Sequence, residues 1–347
     1  MAFALLQFAG LAVVVIAAGA FLSHCADAIA EATGFGRLLV GSVLLAGATS
    51  LPELTVDISA IRLGLPDLAV GDLLGSSLMN LLILAVLDLT HYSRGKLLSR
   101  TGAAHALSGL FAISLTALVG LAMATTRRVD SWTFLGAHAW FWIIAGGYLL
   151  GVRMVFLDQR IAIRVQNENE AREAVGTRVG AVEGTHKQAS SHVLAKALFG
   201  FVAAAAVIVL AGPRLAESAG TIAQLSGLGN TFVGTTLVAL CTSLPELAAS
   251  FAAVRMGSHD LAIGNVFGSN AFNMLLFLPL DLACPGALFT QTSTGHVVSA
   301  FAVIAATSLV VIGQLYHVER RMPLFEPDAI MVIAVVLASL AIVYFLG

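Results

Sequence analysis

Two glutamates stand where a carboxylate is expensive. Glu53 closes the stretch Gly47-Ala-Thr-Ser-Leu-Pro-Glu53 and Glu246 closes Thr242-Ser-Leu-Pro-Glu246, each inside an apolar segment long enough to span a membrane. A charged side chain at mid-membrane costs about 2.5–3.5 kcal/mol on insertion scales. Two of them without buried Lys or Arg call for a cationic guest or for protonation. Arg62 and Arg255 sit at span ends and are poorly placed to serve. Thr49, Ser50, Thr242 and Ser243 come three or four residues before their glutamate, so their oxygens share its helical face.

The prolines add a second kind of ligand. A proline within a helix lacks an N–H and frees the carbonyl four residues back, here Ala48 for Pro52 and Cys241 for Pro245. In lipid a freed carbonyl needs a partner, and broken transporter helices expose such oxygens to ions. A plain kink, satisfied by a hydroxyl or water, would explain one such proline. Two symmetric copies, each followed by glutamate, point to an ion site. Further on, Asp72, Ser76 and Asn80 fall at i, i+4 and i+8, as do Asn265, Ser269 and Asn273, giving one polar stripe per helix. Gly71, Gly75, Gly264 and Gly268 beside them allow close helix approach, so interhelical hydrogen bonding is the competing account of the stripes.

All of these candidate ligands are oxygens. Hard cations such as Ca²⁺ take about 6–8 oxygens, whereas zinc or copper would want His or Cys, and only Cys241 lies nearby. Two carboxylates neutralise one divalent ion, and two monovalent ions or protons can replace it. That equivalence is a physical basis for antiport. An empty, doubly negative site is reluctant to cross the barrier between inward- and outward-open states.

The elements that must position these residues are transmembrane helices. The 347 residues are 58% hydrophobic and 11% charged, with a mean hydropathy of +0.92, too little polar surface for a soluble globule. The apolar runs are of helical length, about 20 residues, and lack the alternation of a barrel. The fold class is therefore an all-α polytopic membrane protein of about ten helices. The spans are expected at 3–30, 37–61, 67–90, 102–124, 131–157, 194–219, 230–255, 260–282, 296–317 and 327–346. The start of the chain reads as a retained first helix rather than a removed signal peptide. Residues 1–157 form an N-terminal half and 194–347 a C-terminal half, joined by a polar linker, 158–193, with room for a short amphipathic helix. With the N-terminus outside, fourteen of the eighteen Lys and Arg fall on the cytoplasmic side, so both termini are expected outside and the linker in the cytoplasm. The net charge of −2 carries no nucleic-acid signature, and Cys25, Cys241 and Cys284 read as free thiols. His24, His105 and His138, near span ends, read as interfacial or packed.

The halves repeat each other. Laying 41–89 on 234–282 without a gap gives 23 identities in 49 positions, among them Arg62/Arg255, Asp67/Asp260, Gly75/Gly268, Ser76/Ser269, Asn80/Asn273 and Asp88/Asp281. The register runs back weakly through Gly19/Gly212, Leu22/Leu215 and Gly34/Gly227. Equivalent spans are five apart, an odd number, so the copies enter the membrane with opposite orientation. This is the inverted-repeat plan, with broken helices and a site at the midplane.

The blocks Thr49-Ser-Leu-Pro-Glu53 with Gly75-Ser-Ser-Leu-Met-Asn80, and Thr242-Ser-Leu-Pro-Glu246 with Gly268-Ser-Asn-Ala-Phe-Asn273, closely resemble the two α-repeats of the sodium/calcium exchanger family, part of the cation/Ca²⁺ antiporter superfamily. The resemblance implies that Glu53 and Glu246 are shared Ca²⁺/Na⁺ ligands. Thr49, Ser50, Thr242, Ser243, Ser76, Ser269, Asn80, Asn273 and the carbonyls of Ala46 and Ala239 would surround them. It also implies that spans one and six slide across the core to switch access. Two positions depart from the pattern. Asn273 stands where sodium exchangers commonly carry Asp, which removes one ionisable partner and puts the three-to-one stoichiometry in doubt. Asp72 stands where the motif usually has Asn, as Asn265 does. It either restores that charge or favours a helix dipole near a helix start. Asp57, one turn beyond Glu53 and matched by Ser250, either extends the ion path or faces a water-filled vestibule.

The expected function is exchange of Ca²⁺ for Na⁺ by alternating access in a cell membrane, the inner membrane in a prokaryote. H⁺-coupled Ca²⁺ or broader cation antiport is the alternative, and a cation channel the less favoured one. The expected partners are these ions and membrane lipid, with no nucleic acid and no cofactor. No nucleophile–base set suggests an enzyme.

Overall fold

The computed structural model describes residues 1–33, 46–90, 102–126, 132–176, 191–255, 259–315 and 327–346. Helix α1 (Ala2–Thr33) is followed by α2 (Ala46–Thr49), α3 (Leu51–Arg62), α4 (Pro66–Thr90) and α5 (Gly102–Thr125). A two-residue hairpin, β1 (Thr133–Phe134) with β2 (Ala137–His138), leads into α6 (Ala139–Gly176). The second half holds α7 (Ser191–Ser226), α8 (Asn230–Thr242), α9 (Leu244–Arg255), α10 (His259–Ala283), α11 (His296–Leu315) and α12 (Pro327–Leu346). Among the described residues, eight helices are long and apolar enough to cross a membrane, and the bent pair α8–α9 brings the number to nine if it counts as one span. The expected second span is described only as α2 and α3. Its first part, with Arg37, lies outside the described residues, as do Arg94, Lys96, Arg100, Arg127 and Arg128 of the orientation argument.

The fifth span differs from expectation at both ends. Its first residues form the hairpin, whose turn places Leu135 at φ 47° and Gly136 at φ 86°. Two successive positive φ values suit a tight two-residue turn between twisted strands. Asp281 pins the hairpin by accepting from the His138 N–H at 2.7 Å, and it accepts from the Leu288 N–H at 2.7 Å as well. At the other end, the helix runs through the first half of the expected linker to Gly176. Residues 158–175 hold no Pro or Gly and many Gln, Glu, Arg and Ala. A helix already nucleated in the membrane propagates easily through such a sequence.

The helices pack as two interlocked copies. Helix α1 lies along α7 and against α9, while α7 lies against α3. Helix α4 packs on α11 and α12 of the other half, and α10 packs on α5 and α6. The repeats therefore exchange their third helices, and neither half encloses a core alone. The central helices are α4 and α10, whose apolar windows are 83% and 61% buried, against 22% for α1 and 28% for α7. Exposed Phe3, Leu6, Phe199 and Leu210 on the outer pair suit a lipid-facing surface.

Glycines bring the site helices together. The backbone of α4 runs against a π-helical stretch of α8, Gly234–Val238, and a Cβ at Gly75 would meet Thr235 O at 2.5 Å and Ala239 Cβ at 2.7 Å. Backbone cannot yield as a flexible side-chain end does. Gly75→Ala is expected to cost about 1–3 kcal/mol, seen as a lower unfolding midpoint of the detergent-purified protein. An unchanged midpoint would mean that α4 and α8 are not in backbone contact.

A candidate cation site between two broken helices

The two breaks have one geometry. Helix α2 stops at Thr49 and α3 begins at Leu51, with Ser50 between them at φ −86°, ψ 9°. Helix α8 stops at Thr242 and α9 begins at Leu244, with Ser243 at φ −81°, ψ −1° and a bend of 45°. Around Ser50 the hydrogen bonds continue, Ser50 N–H to Ala46 O at 3.0 Å and Leu54 N–H to Ser50 O at 3.1 Å. Around Ser243 the corresponding bonds are both 3.0 Å. The chain thus bends without unravelling. Glu53 and Glu246 fall in the first turn of α3 and α9, where the helix dipole favours an anion.

Every candidate site residue named from the sequence is buried. Glu53 is 0% exposed and Glu246 1%, and none of their four carboxylate oxygens has a hydrogen-bond partner. Around Glu53 stand Glu246, Asp72 and the Ser76 side chain. Around Glu246 stand Thr49, Ser50 and Asp72. Each glutamate therefore meets groups contributed by the other repeat. Arg62 and Arg255 are exposed, the latter lying over the Phe251 ring at 5.5 Å, so neither neutralises the pair.

Hydroxyls and amides frame the carboxylates. Thr242 Oγ1 donates to Asp72 Oδ1 at 2.9 Å, Ser76 Oγ lies 3.1 Å from Thr242 Oγ1, and Ser76 donates to Asp72 Oδ1 at 3.3 Å. Asn80 donates to Asn270 Oδ1 at 3.0 Å, and Asn270 donates to Ser77 O at 3.2 Å. The oxygens of Ser50, Ser243 and Ser269 and both polar atoms of Asn273 are buried without partners. The carbonyl of Ala46 already accepts from Ser50 N–H and, at 3.2 Å, from Thr49 Oγ1. Likewise Ala239 O accepts from Ser243 N–H and, at 3.4 Å, from Thr242 Oγ1. An ion taken by either carbonyl would displace its threonine hydroxyl, which is then free to turn its own oxygen inward.

One alternative left by the sequence is decided here. Asp72 lies beyond the first turn of α4 and bonds across to Thr242, so the dipole account does not hold. Asp57 is 0% exposed. His105 and His138 are packed, both buried, and all three cysteines are free. The Asn80–Asn270–Ser77 link was not anticipated. Its trace in the sequence is the mismatch of Ser77 with Asn270 inside otherwise matching Gly-Ser-x-x-x-Asn blocks. Among the described residues, no three His, Cys, Asp or Glu converge as a ready metal cluster. The arrangement instead offers carboxylate pairs completed by hydroxyl, amide and carbonyl oxygens, which suits hard cations.

A sequence model of the family described as sodium/calcium exchanger protein matches residues 3–147 and 196–346. The chain belongs to the sodium/calcium exchanger family. Its relatives include a putative antiporter, CaxA, of Alkalimonas amylolytica, 26% identical over 298 residues, 86% of this chain and 85% of that one. The inner membrane protein YrbG of Escherichia coli K12 is 28% identical over 284 residues, 82% and 80% of the two chains. The sodium/calcium exchanger MaX1 of Methanosarcina acetivorans is 41% identical over 103 residues, 28% of this chain and 29% of MaX1. Among solved structures, the sodium-calcium exchanger NCX_Mj has the same fold, with a TM-score of 0.58 at 18% identity over 98% of this chain and 99% of that one. Native YfkE gives 0.62 at 16% identity over 98% and 92%. This exchanger-family chain is thus an α-helical, multi-pass membrane protein with the fold of the solved ion exchangers.

Proposed function

We propose that this chain exchanges Ca²⁺ for Na⁺ across a cell membrane by alternating access, with Glu53 and Glu246 as the shared ion ligands. The observation that carries this reading is the buried glutamate pair, with no buried Lys or Arg among the described residues to neutralise it. Ca²⁺ neutralises the pair, and Na⁺ ions replace it with the same charge. Thr49, Ser50, Ser76, Thr242, Ser243, Ser269, Asn80 and Asn273 supply neutral oxygens around the ions, and Ala46 and Ala239 supply carbonyls. The switching elements are α1 and α7, two outer helices packed along each other, which slide together over α3 and α9. Both repeats are needed, since each completes the other's site. The membrane is the inner one if the cell is prokaryotic, with both termini outside.

H⁺-driven exchange is the second reading, favoured by Asn273, which cannot ionise where a further charged ligand would strengthen Na⁺ binding. Protein reconstituted into Na⁺-loaded vesicles in Na⁺-free medium is expected to accumulate ⁴⁵Ca²⁺, and to stop when the Na⁺ gradient is collapsed. Uptake driven by a pH gradient alone would replace Na⁺ by H⁺ in this reading. Ca²⁺ flux that needs no counter-ion would replace the antiporter by a channel.

A further inference from the structure

The repeats differ at one place in the ion path. In the second repeat, Ser250 and Asn265 face each other from α9 and α10, and Asn265 Nδ2 donates to Ser250 Oγ at 3.1 Å. The corresponding residues of the first repeat are Asp57 on α3 and Asp72 on α4, which face each other in the same way. A neutral pair joined by a hydrogen bond in one copy is thus a pair of carboxylates in the other. Both are 0% exposed, and Asp57 Oδ1, Asp57 Oδ2 and Asp72 Oδ2 have no hydrogen-bond partner. Asp72 Oδ1 alone is engaged, by Thr242 and Ser76.

Position supports a ligand here. Asp57 is one helical turn from Glu53 toward the Arg62 end of α3, and Asp72 is one turn from Ser76 toward the Pro66 end of α4. Both are displaced to the same side of the glutamate pair. Glu53, Asp57 and Ile61 form one stripe at i, i+4 and i+8. Ile61 lines a surface depression together with Gly64, Pro66, Asp67 and Asn230. One face of α3 therefore leads from that depression, past Asp57, to Glu53.

From this we infer that Asp57 and Asp72 form a second cation site, outside the glutamate pair and present in the first repeat only. Its ligand is a hard, oxygen-seeking metal cation that waits there before passing to Glu53. Burying four carboxylates together, with Glu53 and Glu246, carries twice the charge that one Ca²⁺ cancels, and no buried Lys or Arg among the described residues offsets the remainder. Asp72 couples the two sites physically, because the Thr242 hydroxyl bonded to its Oδ1 belongs to the central site. The inference rests on reading the midplane as a cation site.

The test is equilibrium binding of ⁴⁵Ca²⁺ and, separately, of ²²Na⁺ to the full-length protein in detergent. The wild type is compared with the double variant Asp57→Ser, Asp72→Asn. That variant copies the Ser250–Asn265 pair, so the fold already shows the arrangement to be packable. The single variant Asp57→Ser gives the same readout while leaving the Asp72–Thr242 bond in place. Both variants are expected to bind one cation fewer per chain, and the single variant, which leaves Asp72 in place, is expected to retain the Ca²⁺ held by Glu53 and Glu246. Loss in the calcium arm makes the ligand divalent, and loss in the sodium arm makes it monovalent. Unchanged binding in both arms, as two carboxyls sharing one proton would give, overturns the second site and leaves the central one standing. A wild type that binds neither ion overturns both.

Discussion

Glu53→Gln and Glu246→Gln are each expected to abolish Na⁺-driven Ca²⁺ uptake and, at the same time, to raise the unfolding midpoint of the ion-free protein. The two effects have one cause. Both carboxylates are buried, each is the other's like-charged neighbour, and Asp72 adds to the repulsion. Glutamine keeps the shape and removes one charge, so the empty site relaxes. With Ca²⁺ bound, the same change removes one partner of a buried charge pair, a loss of about 3–5 kcal/mol. That corresponds to roughly 10²–10⁴-fold in affinity. Wild-type protein should therefore gain stability on adding Ca²⁺, since a ligand that binds only the folded state raises its midpoint, and either variant should lose that gain. The measurements are vesicle uptake and thermal unfolding with and without Ca²⁺. A variant less stable than wild type without Ca²⁺ would show the glutamates to be structural hydrogen-bond partners, not ion ligands.

The glutamate pair was legible in the sequence because cost in lipid is a one-residue property. Glu53 inside an apolar run needs an explanation wherever the chain folds, and an equal explanation 193 positions later suggests one shared site. The inverted plan was legible for a similar reason, since an ungapped repeat with an odd number of intervening spans fixes relative orientation. Which groups face which was not. Nothing in the spacing of Asp72 distinguishes a residue that favours its own helix dipole from one that bonds Thr242, 170 positions away. Asp57 was equally ambiguous, because a carboxylate one turn from Glu53 could face water or protein, and burial is set by α4 and α7 packing against α3. The continuation of α6 to Gly176 was missed because polarity was read as a break. Polarity marks where a helix leaves lipid; it does not mark where the helix stops, which takes a proline, a glycine or a cap.

Sliding of α1 and α7 over the core makes a prediction that separates motion from mere packing. Two glycines mark where these helices touch their neighbours. A Cβ at Gly212 on α7 would lie 3.2 Å from Thr55 Cβ on α3, and a Cβ at Gly200 on α7 would lie 2.8 Å from Cys25 Sγ on α1. Both separations are close to those a disulfide spans. If α1 and α7 move as one body, a bond between them through Gly200→Cys and the native Cys25 should form under mild oxidation and leave Ca²⁺ uptake near the wild-type rate. A bond between Gly212→Cys and Thr55→Cys, made with Cys25 replaced by serine, ties the moving pair to the helix that carries Glu53. It should stop uptake almost completely, and reduction should restore it. The repeat supplies the reason that α7 has glycine there. Its partner Gly19 on α1 sits against Pro245, where an added Cβ would collide with the ring, so each mobile helix crosses its broken helix at a residue without a side chain. A smooth crossing permits sliding where an interlocked one would resist it. Uptake that survives the Gly212–Thr55 bond would place the moving boundary elsewhere, and uptake lost on linking Gly200 to Cys25 would mean that α1 and α7 move against each other.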